Sequence, residues 1–178
     1  MTWKLLPDKK VKLLTQCSVL SKESAEEIIE TYRDNHRLEH VSSNRFSFRS
    51  ISLDPVEWIK LYEPVTSVIL DANVNNYGFK LQGISSLHYI EVGDRDFLDW
   101  NMDLIESYRE TNKLSIYIPL NDDFEGGRFF VKNPLDTEIK PVIGEMTMFP
   151  SYLISKHDPT SAGIKRMVAG TVTGLPFS

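Results

Sequence analysis

Two stretches in the last third of the chain decide its fold: LSIYIPLNDDFEGGRFFV (114–131) and GEMTMFPSYLISKHDPTSAGIKRM (144–167). The first opens with apolar residues at every second position, which is the period of a β-strand; these are Leu114, Ile116 and Ile118. The NDDFEGG run that follows has the composition of a turn, so residues 128–131 are predicted to return as the second strand of a hairpin. The second stretch predicts short strands, a Pro-Thr-Ser-Ala-Gly turn and a final strand over 165–173.

Length and composition indicate the class of protein. With 178 residues, a formal charge of -5 and a pI near 5.4, the chain suits one acidic domain. This charge argues against nucleic acid or an anionic membrane as a partner, because both are bound through basic surfaces. The single cysteine, Cys17, excludes an internal disulfide, and we expect it to be a small buried hydrophobe. No apolar run near the amino terminus is long enough for a signal peptide or a membrane span, so we expect a soluble, cytoplasmic protein.

The amino-terminal part predicts an arm followed by helices. Residues 1–20 mix apolar residues with lysines and predict an extended arm or edge strand. Residues 21–75 predict helical support, in which Ser21 caps a first helix and Asp54 caps a second helix with proline at its first position. Pro64 falls inside that second helix, so we expect a kink there or two shorter helices.

At LSIYIPLNDDFEGGRF, FPSYLIS and PTSAGIKR, and at the upstream DFLDWNMD (96–103), the chain resembles the iron- and 2-oxoglutarate-dependent oxygenases. The resemblance is to their small prolyl-4-hydroxylase-like branch, the PKHD type. It implies an α+β, mainly β fold, namely a distorted double-stranded β-helix (jelly roll) with two or three flanking amino-terminal helices. It also implies a single domain over 1–178, with the jelly-roll core over 79–174.

In that family a His-x-Asp pair and a distal histidine hold the iron. Aligned on DFLDWNMD, the first histidine falls on Asn101 and the aspartate on Asp103, and alignment on FPSYLIS puts the distal histidine at Ser155. An asparagine amide is a weak neutral oxygen donor, so the resemblance implies a degenerate iron site. We expect Asn101 to hydrogen-bond Asp103 or Ser155 in a polar network that replaces the metal. His157 is a substitute ligand only if a bulge or a rebuilt loop makes up a displacement of about 6–7 Å along the strand.

The resemblance also implies residues for the cosubstrate. Lys165 falls where the family has a basic residue that binds the 2-oxoglutarate carboxylate, and its alternative role is an ion pair with Asp103. Arg166 is adjacent in the strand, so it should then point to solvent. Tyr89 falls near a tyrosine that faces the cosubstrate in active relatives, and its neighbour His88 should then face the opposite side of the sheet.

Three functions are consistent with this pattern. The first is a catalytically inactive oxygenase-like protein that has no cofactor and is retained for binding or structural assembly with a protein partner. One such assembly is a bacteriophage particle, which would place the protein in the virion or the host cytoplasm. The second is an active dioxygenase with Fe(II), 2-oxoglutarate and an altered ligand set, which hydroxylates a prolyl or other side chain. The third is a jelly roll that binds a small acid or a carbohydrate through its pocket and Lys165.

Overall fold

The computed structural model describes residues 13–105 and 110–176. Within them the chain forms thirteen β-strands, two α-helices and one π-helical turn. The amino-terminal half contains β1 (Thr15–Ser18), α1 (Lys22–Tyr32), β2 (Glu39–Ser42), β3 (Phe46–Leu53), α2 (Ile59–Ala72), the π-helical turn (Asn73–Tyr77) and β4 (Leu81–Val92). The carboxy-terminal half contains β5 (Phe97–Met102), β6 (Thr111–Pro119), β7 (Glu125–Gly126), β8 (Phe129–Asn133), β9 (Leu135–Ile139), β10 (Glu145–Pro150), β11 (Ile154–His157), β12 (Thr160–Ala162) and β13 (Lys165–Gly174).

The strands form a curled antiparallel sheet in which several neighbours in space are distant in sequence. Its order is β1, β10, β6, β13, β4, β3, β5, β11, β8 and β9; β2 pairs with β3 off this path, and β7 pairs with β12 in a separate ribbon. Pairing of β3 with β5, which sets Phe46 opposite Leu98, joins the two halves of the roll. The predicted mainly β jelly roll with flanking helices is therefore confirmed.

The predicted hairpin between the strands now numbered β6 and β8 is wrong. β6 pairs with β10 and β13, whereas β8 pairs with β11 and β9, so the chain crosses between the halves of the roll here. Glu125 and Gly126 of the NDDFEGG run form β7. Gly126 and Gly127 have φ angles of 72° and 57°. A turn composition shows where a strand ends but not which strand becomes its neighbour, because that choice depends on burial elsewhere.

Both helices pack on the outer face of the larger half of the sheet. Ser21 caps α1 as predicted, since its hydroxyl accepts a hydrogen bond from the backbone N–H of Ser24 at 3.2 Å. Buried residues of the two helices join those of β4, β6, β10 and β13 in one core; the helical members are Ala25, Ile28, Tyr32, Leu61, Val65, Ile69 and Ala72. A second core lies inside the roll and includes Ile90, Tyr117, Phe129, Phe149 and Met167. The sheet therefore has one face covered by helices and one face turned into the roll.

The helical support over 21–75 also contains β2 and β3, which join the main sheet. One expectation for its helices is corrected. Asp54 does not cap α2, which begins at Ile59; its Oδ1 accepts two backbone N–H groups, at 2.8 and 3.1 Å, in the preceding turn. α2 continues through Pro64 as one helix, not as two shorter ones, and ends in the π-helical turn.

The predicted arm over 1–20 lies mostly outside the described residues. Its last part forms β1, an edge strand paired with β10, and Cys17 in this strand is partly exposed rather than fully buried. No helix in the two described ranges is long and apolar enough to cross a membrane.

Candidate functional site

A cavity of about 280 Å³ lies in the interior of the roll, between its two halves. Its wall is largely aromatic and aliphatic, and includes Phe46, Phe48, Ile90, Phe129, Phe149 and Met167. Four residues singled out from the sequence also contact it: Asn101, Asp103, Ser155 and His157. The cavity therefore brings together residues that are more than fifty positions apart in the chain, because β5 and β11 are neighbours in the sheet.

Asn101 and Ser155 face each other across two paired strands. They are register partners in the antiparallel pairing of β5 with β11, and Asp103 follows the last residue of β5. The direct contact between the side chains is weak, because Asn101 Nδ2 lies 3.4 Å from Asp103 Oδ1. These three residues nevertheless occupy one end of the cavity.

Asp103 is also held by a hydroxyl group that sequence reasoning missed. The carboxylate accepts hydrogen bonds from Ser115 and Asn101, and the Ser115 hydroxyl lies 3.0 Å from that of Ser151. Burial raises the pKa of Asp103, and these hydrogen bonds partly oppose the rise. Ser115 could have been identified from the sequence. It lies between the apolar residues Leu114 and Ile116, and strand alternation puts its side chain on the opposite face of β6 from theirs.

His157 lies in the cavity wall near an irregularity in the neighbouring strand. Between the partners of Ser155 and His157, β5 has one more residue than β11, as in a β-bulge, so His157 pairs with Leu98. The buried imidazole stacks on Phe129, with ring centroids 4.3 Å apart, and its Nδ1 lies 2.8 Å from Lys165 Nζ. Burial, followed by the charge of Lys165, holds the pKa of His157 well below its usual value. The ring is therefore neutral at pH 7 and accepts a hydrogen bond at Nδ1.

Lys165 lies behind this imidazole and does not contribute to the cavity wall. The residue is 1% exposed, and its Nζ donates to the carbonyl oxygen of Gly127 at 2.6 Å and to His157 Nδ1 at 2.8 Å. The rings of Tyr117, Phe124 and Phe129 have their centroids 5.3–5.9 Å from Nζ. Burial lowers the pKa of Lys165 to about 7. The expected ion pair with Asp103 does not form, and no carboxylate of the described residues lies within salt-bridge distance of Nζ.

The two neighbouring residues of β4 face the opposite way from the prediction. Tyr89 is fully buried on the helix side, where its ring centroid lies 5.5 Å from that of Tyr32 and its hydroxyl donates to Glu91 Oε1 at 2.8 Å. His88 is the residue that contacts the cavity, and its Nε2 lies 2.8 Å from the Ser86 hydroxyl. The two side chains do point to opposite faces of the sheet, as predicted, but the faces are exchanged. Tyr89 lies on the face covered by the helices, where Glu91 accepts the hydrogen bond of its hydroxyl.

Arg166 does not point to solvent as predicted. Its Nε lies 3.2 Å from Glu91 Oε1, and Arg49 Nη1 lies 3.2 Å from Glu91 Oε2. The three residues are register partners across β13, β4 and β3, and the Glu91 side chain is only 3% exposed. A buried carboxylate needs such partners, so this cluster on the helix face is a structural ion-pair network apart from the cavity.

The donor set at the cavity does not fit an iron site of two imidazoles and one carboxylate. Within the described ranges, no group of three His, Cys, Asp or Glu side chains could hold a metal ion. Asn101, Asp103 and Ser155 offer an amide, a carboxylate and a hydroxyl, and such oxygen donors suit hard cations better than Fe(II). His157 Nδ1 is already engaged with Lys165.

Comparisons with known proteins identify the fold. No protein-family model matches the chain, and no curated protein sequence matches it. A prolyl-4-hydroxylase from Pseudomonas putida is similar in structure, with a TM-score of 0.76 and 14% identity over 93% of this chain and 94% of that one. The viral collagen prolyl hydroxylase of Paramecium Bursaria Chlorella virus-1, solved as a 2-oxoglutarate complex, has a TM-score of 0.72 and 11% identity over 92% of this chain and 97% of that one.

A third similar structure is an oxidoreductase of the 2OG-Fe(II) oxygenase family from Burkholderia pseudomallei. Its TM-score is 0.64 at 13% identity, over 91% of this chain and 84% of that one. The similarity thus includes the helices as well as the roll, although few residues are shared. The chain has the fold of the 2-oxoglutarate- and Fe(II)-dependent oxygenases, in the form found in prolyl hydroxylases.

Proposed function

We propose that this protein is a catalytically inactive member of the oxygenase fold whose cavity is retained for binding. The observation that carries the proposal is the set of side chains at the aligned iron positions: Asn101 opposite Ser155, with Asp103 beside them. Without two imidazoles, the site lacks the nitrogen donors that give most of the affinity for a transition metal. Without that metal, there is no centre to activate oxygen.

The position of Lys165 supports the same conclusion for the cosubstrate. Its ammonium group already donates to the Gly127 carbonyl oxygen and to His157 Nδ1. A dicarboxylate in the cavity could reach Nζ only if the imidazole left the wall, because Lys165 lies behind that ring. Burial also lowers the pKa of Lys165 to about 7, so at neutral pH the charge that would attract a carboxylate is partly lost.

An active dioxygenase with an altered ligand set is the second candidate, and the position of His157 favours it. The imidazole contacts the same cavity as Asp103, although an extra residue in β5 sets His157 opposite Leu98, one position farther from Asn101 than regular pairing would place it. Its Nε2 would be the donor, because Nδ1 accepts from Lys165. The site would then consist of one imidazole, one carboxylate and the Asn101 amide, which is a weaker set for Fe(II) than two imidazoles and a carboxylate.

The proposed binding role includes a protein partner or an assembly, such as a bacteriophage particle, in the host cytoplasm or the virion. It rests on analogy with other jelly rolls used in assemblies, and the described surface supplies no residue that identifies the partner. A carbohydrate- or small-acid-binding function through Lys165 is less favoured, because the ammonium group lies behind His157.

Turnover of 2-oxoglutarate tests the proposal. Protein supplied with Fe(II), ascorbate and 2-oxoglutarate is expected to form no more succinate than a protein-free blank, as measured by proton NMR. The matched control is the Asp103→Ala variant, which removes the remaining carboxylate of the aligned site. Succinate that depends on Fe(II) and disappears in this variant would overturn the proposal and make the active dioxygenase the leading function.

A further inference from the structure

The charged groups that line the cavity differ between its rim and its interior. Asp103, Asp99 and Arg45 contribute to the wall, and the last two are exposed at the rim. His88 and His157 are both neutral at pH 7, because burial lowers their pKa values. Inside the rim, the described residues therefore present one carboxylate and no cation.

The remainder of the wall suits an aromatic molecule of modest size. Phe46, Phe48, Phe129, Phe149 and Met167 surround the space with rings and one thioether. The cavity of about 280 Å³ has room for about ten non-hydrogen atoms, since a water molecule takes up about 30 Å³ of the liquid. Apolar walls with a few convergent polar groups are typical of small-molecule sites.

We propose that the cavity binds a small primary amine with an aromatic body, whose ammonium group pairs with Asp103 and whose ring packs among the phenylalanines. The inference deepens the binding function proposed above and rests on it. The carboxylate at this end of the cavity is the feature that selects the charge of the ligand, and the size of the apolar region limits its length.

Several properties of Asp103 favour an ammonium group. Among the described residues its carboxylate accepts hydrogen bonds from Ser115 and Asn101, whereas an ionised carboxylate has about four acceptor sites. A partly desolvated carboxylate without a cation is costly, and burial accordingly raises its pKa. An incoming ammonium would relieve this cost through a charge-assisted hydrogen bond, and the neighbouring aromatic faces also attract cations. A carboxylate ligand, including 2-oxoglutarate, would meet repulsion at the same place.

Three probes of similar size separate these possibilities by calorimetry on the full chain at neutral pH. They are 2-phenylethylamine, the uncharged 2-phenylethanol and the anionic phenylacetate. The amine is expected to bind about tenfold more tightly than the alcohol, which corresponds to about 1.4 kcal/mol, because both can donate a hydrogen bond to the carboxylate but only the ammonium group carries the opposite charge. The carboxylate is expected to bind more weakly than the alcohol. Equal binding of all three, stronger binding of the carboxylate, or no binding of the amine would overturn the proposal.

A pair of variants assigns the preference to one side chain. Asp103→Asn retains the size and a hydrogen-bond acceptor but removes the charge, so the preference for amine over alcohol should be lost. The matched control is Asp122→Asn, which changes an exposed carboxylate away from the cavity and should preserve the preference. Retained preference in a folded Asp103→Asn variant would refute the role of Asp103; if that variant does not fold, the probe series on the natural chain still decides.

This experiment and the turnover assay fail in distinguishable ways. Amine selectivity without succinate formation supports both proposals. An absence of amine binding together with an absence of turnover overturns only the amine assignment. Turnover of 2-oxoglutarate combined with weak amine binding overturns both, because the cavity would then accept the dicarboxylate.

Discussion

The buried Lys165 predicts an unusual pH dependence of stability. In the unfolded chain its ammonium group is solvated, with an ordinary pKa of 10.5, whereas burial in the folded protein lowers that pKa to about 7. Between these values the unfolded chain holds the proton and the folded chain releases it. The free energy of unfolding must therefore rise with pH in this window, and the contribution is lost again as the pH falls to 7.

The magnitude follows from the two pKa values, 10.5 and about 7. Each pKa unit corresponds to about 1.36 kcal/mol, so the full contribution across the window is about 5 kcal/mol. Between pH 7 and pH 9 the expected rise is about 2 kcal/mol, because the folded group is about half protonated at the lower pH. No discount for solvent screening is needed, since the residue is 1% exposed.

Urea denaturation at pH 7 and pH 9 measures this rise directly. The Lys165→Met variant should lose the pH dependence, whereas Lys132→Met, at a lysine with a half-exposed side chain on the outside of the roll, should retain it. Stability that is flat between the two pH values in the natural chain would refute the reasoning. So would an equal rise in Lys165→Met, because another group would then be responsible.

Three further substitutions, one of them with a matched control, test the packing of the fold outside the cavity. Tyr89→Phe removes the hydroxyl that donates to Glu91 at 2.8 Å, and should lower the free energy of unfolding in urea by about 1 kcal/mol without changing amine affinity. Leu114→Ala, in the fully buried β6, should cost about 3 kcal/mol in the same assay, whereas Leu135→Ala at the exposed start of β9 should stay within about 0.5 kcal/mol. Gly144→Ala should lower the melting temperature through a cost of about 1–3 kcal/mol, because this glycine has a φ of 74° and an added Cβ would collide with a backbone carbonyl. An altered amine affinity in Tyr89→Phe, or unchanged stability in either of the other two, would contradict these expectations.

Local patterns predicted those parts of the fold that depend on neighbouring residues. The N-cap at Ser21 and the strand beginning at Lys165 were both correct, because capping and alternation are encoded within a few positions. Pairing was not predictable in this way. The turn after β6 led to an incorrect hairpin, since the partners of that strand come from β10 and β13, farther along the chain.

At the site, too, short motifs predicted local positions but not contacts between distant parts of the chain. Alignment of short motifs placed Asn101, Asp103 and Ser155 at one cavity, because their positions are tied to strand ends. It could not predict that His157 would take up the hydrogen bond of Lys165, because that contact joins β11 and β13, which are not neighbours in the sheet. Nor could it fix the phase of β4 at Tyr89, which is set by the helices that cover one face of the sheet.

The most direct test of the central claim is a Co(II) titration of metal-free protein, with and without 2-oxoglutarate, followed by visible absorbance and by Trp100 fluorescence. The natural chain is expected to show no saturable binding into the high micromolar range. A double variant carrying Asn101→His and Ser155→His is expected to gain binding, because it restores two imidazoles beside Asp103. Tight binding by the natural chain that survives Asn101→Ala but is lost in His157→Ala would contradict the account and reveal a rebuilt metal site.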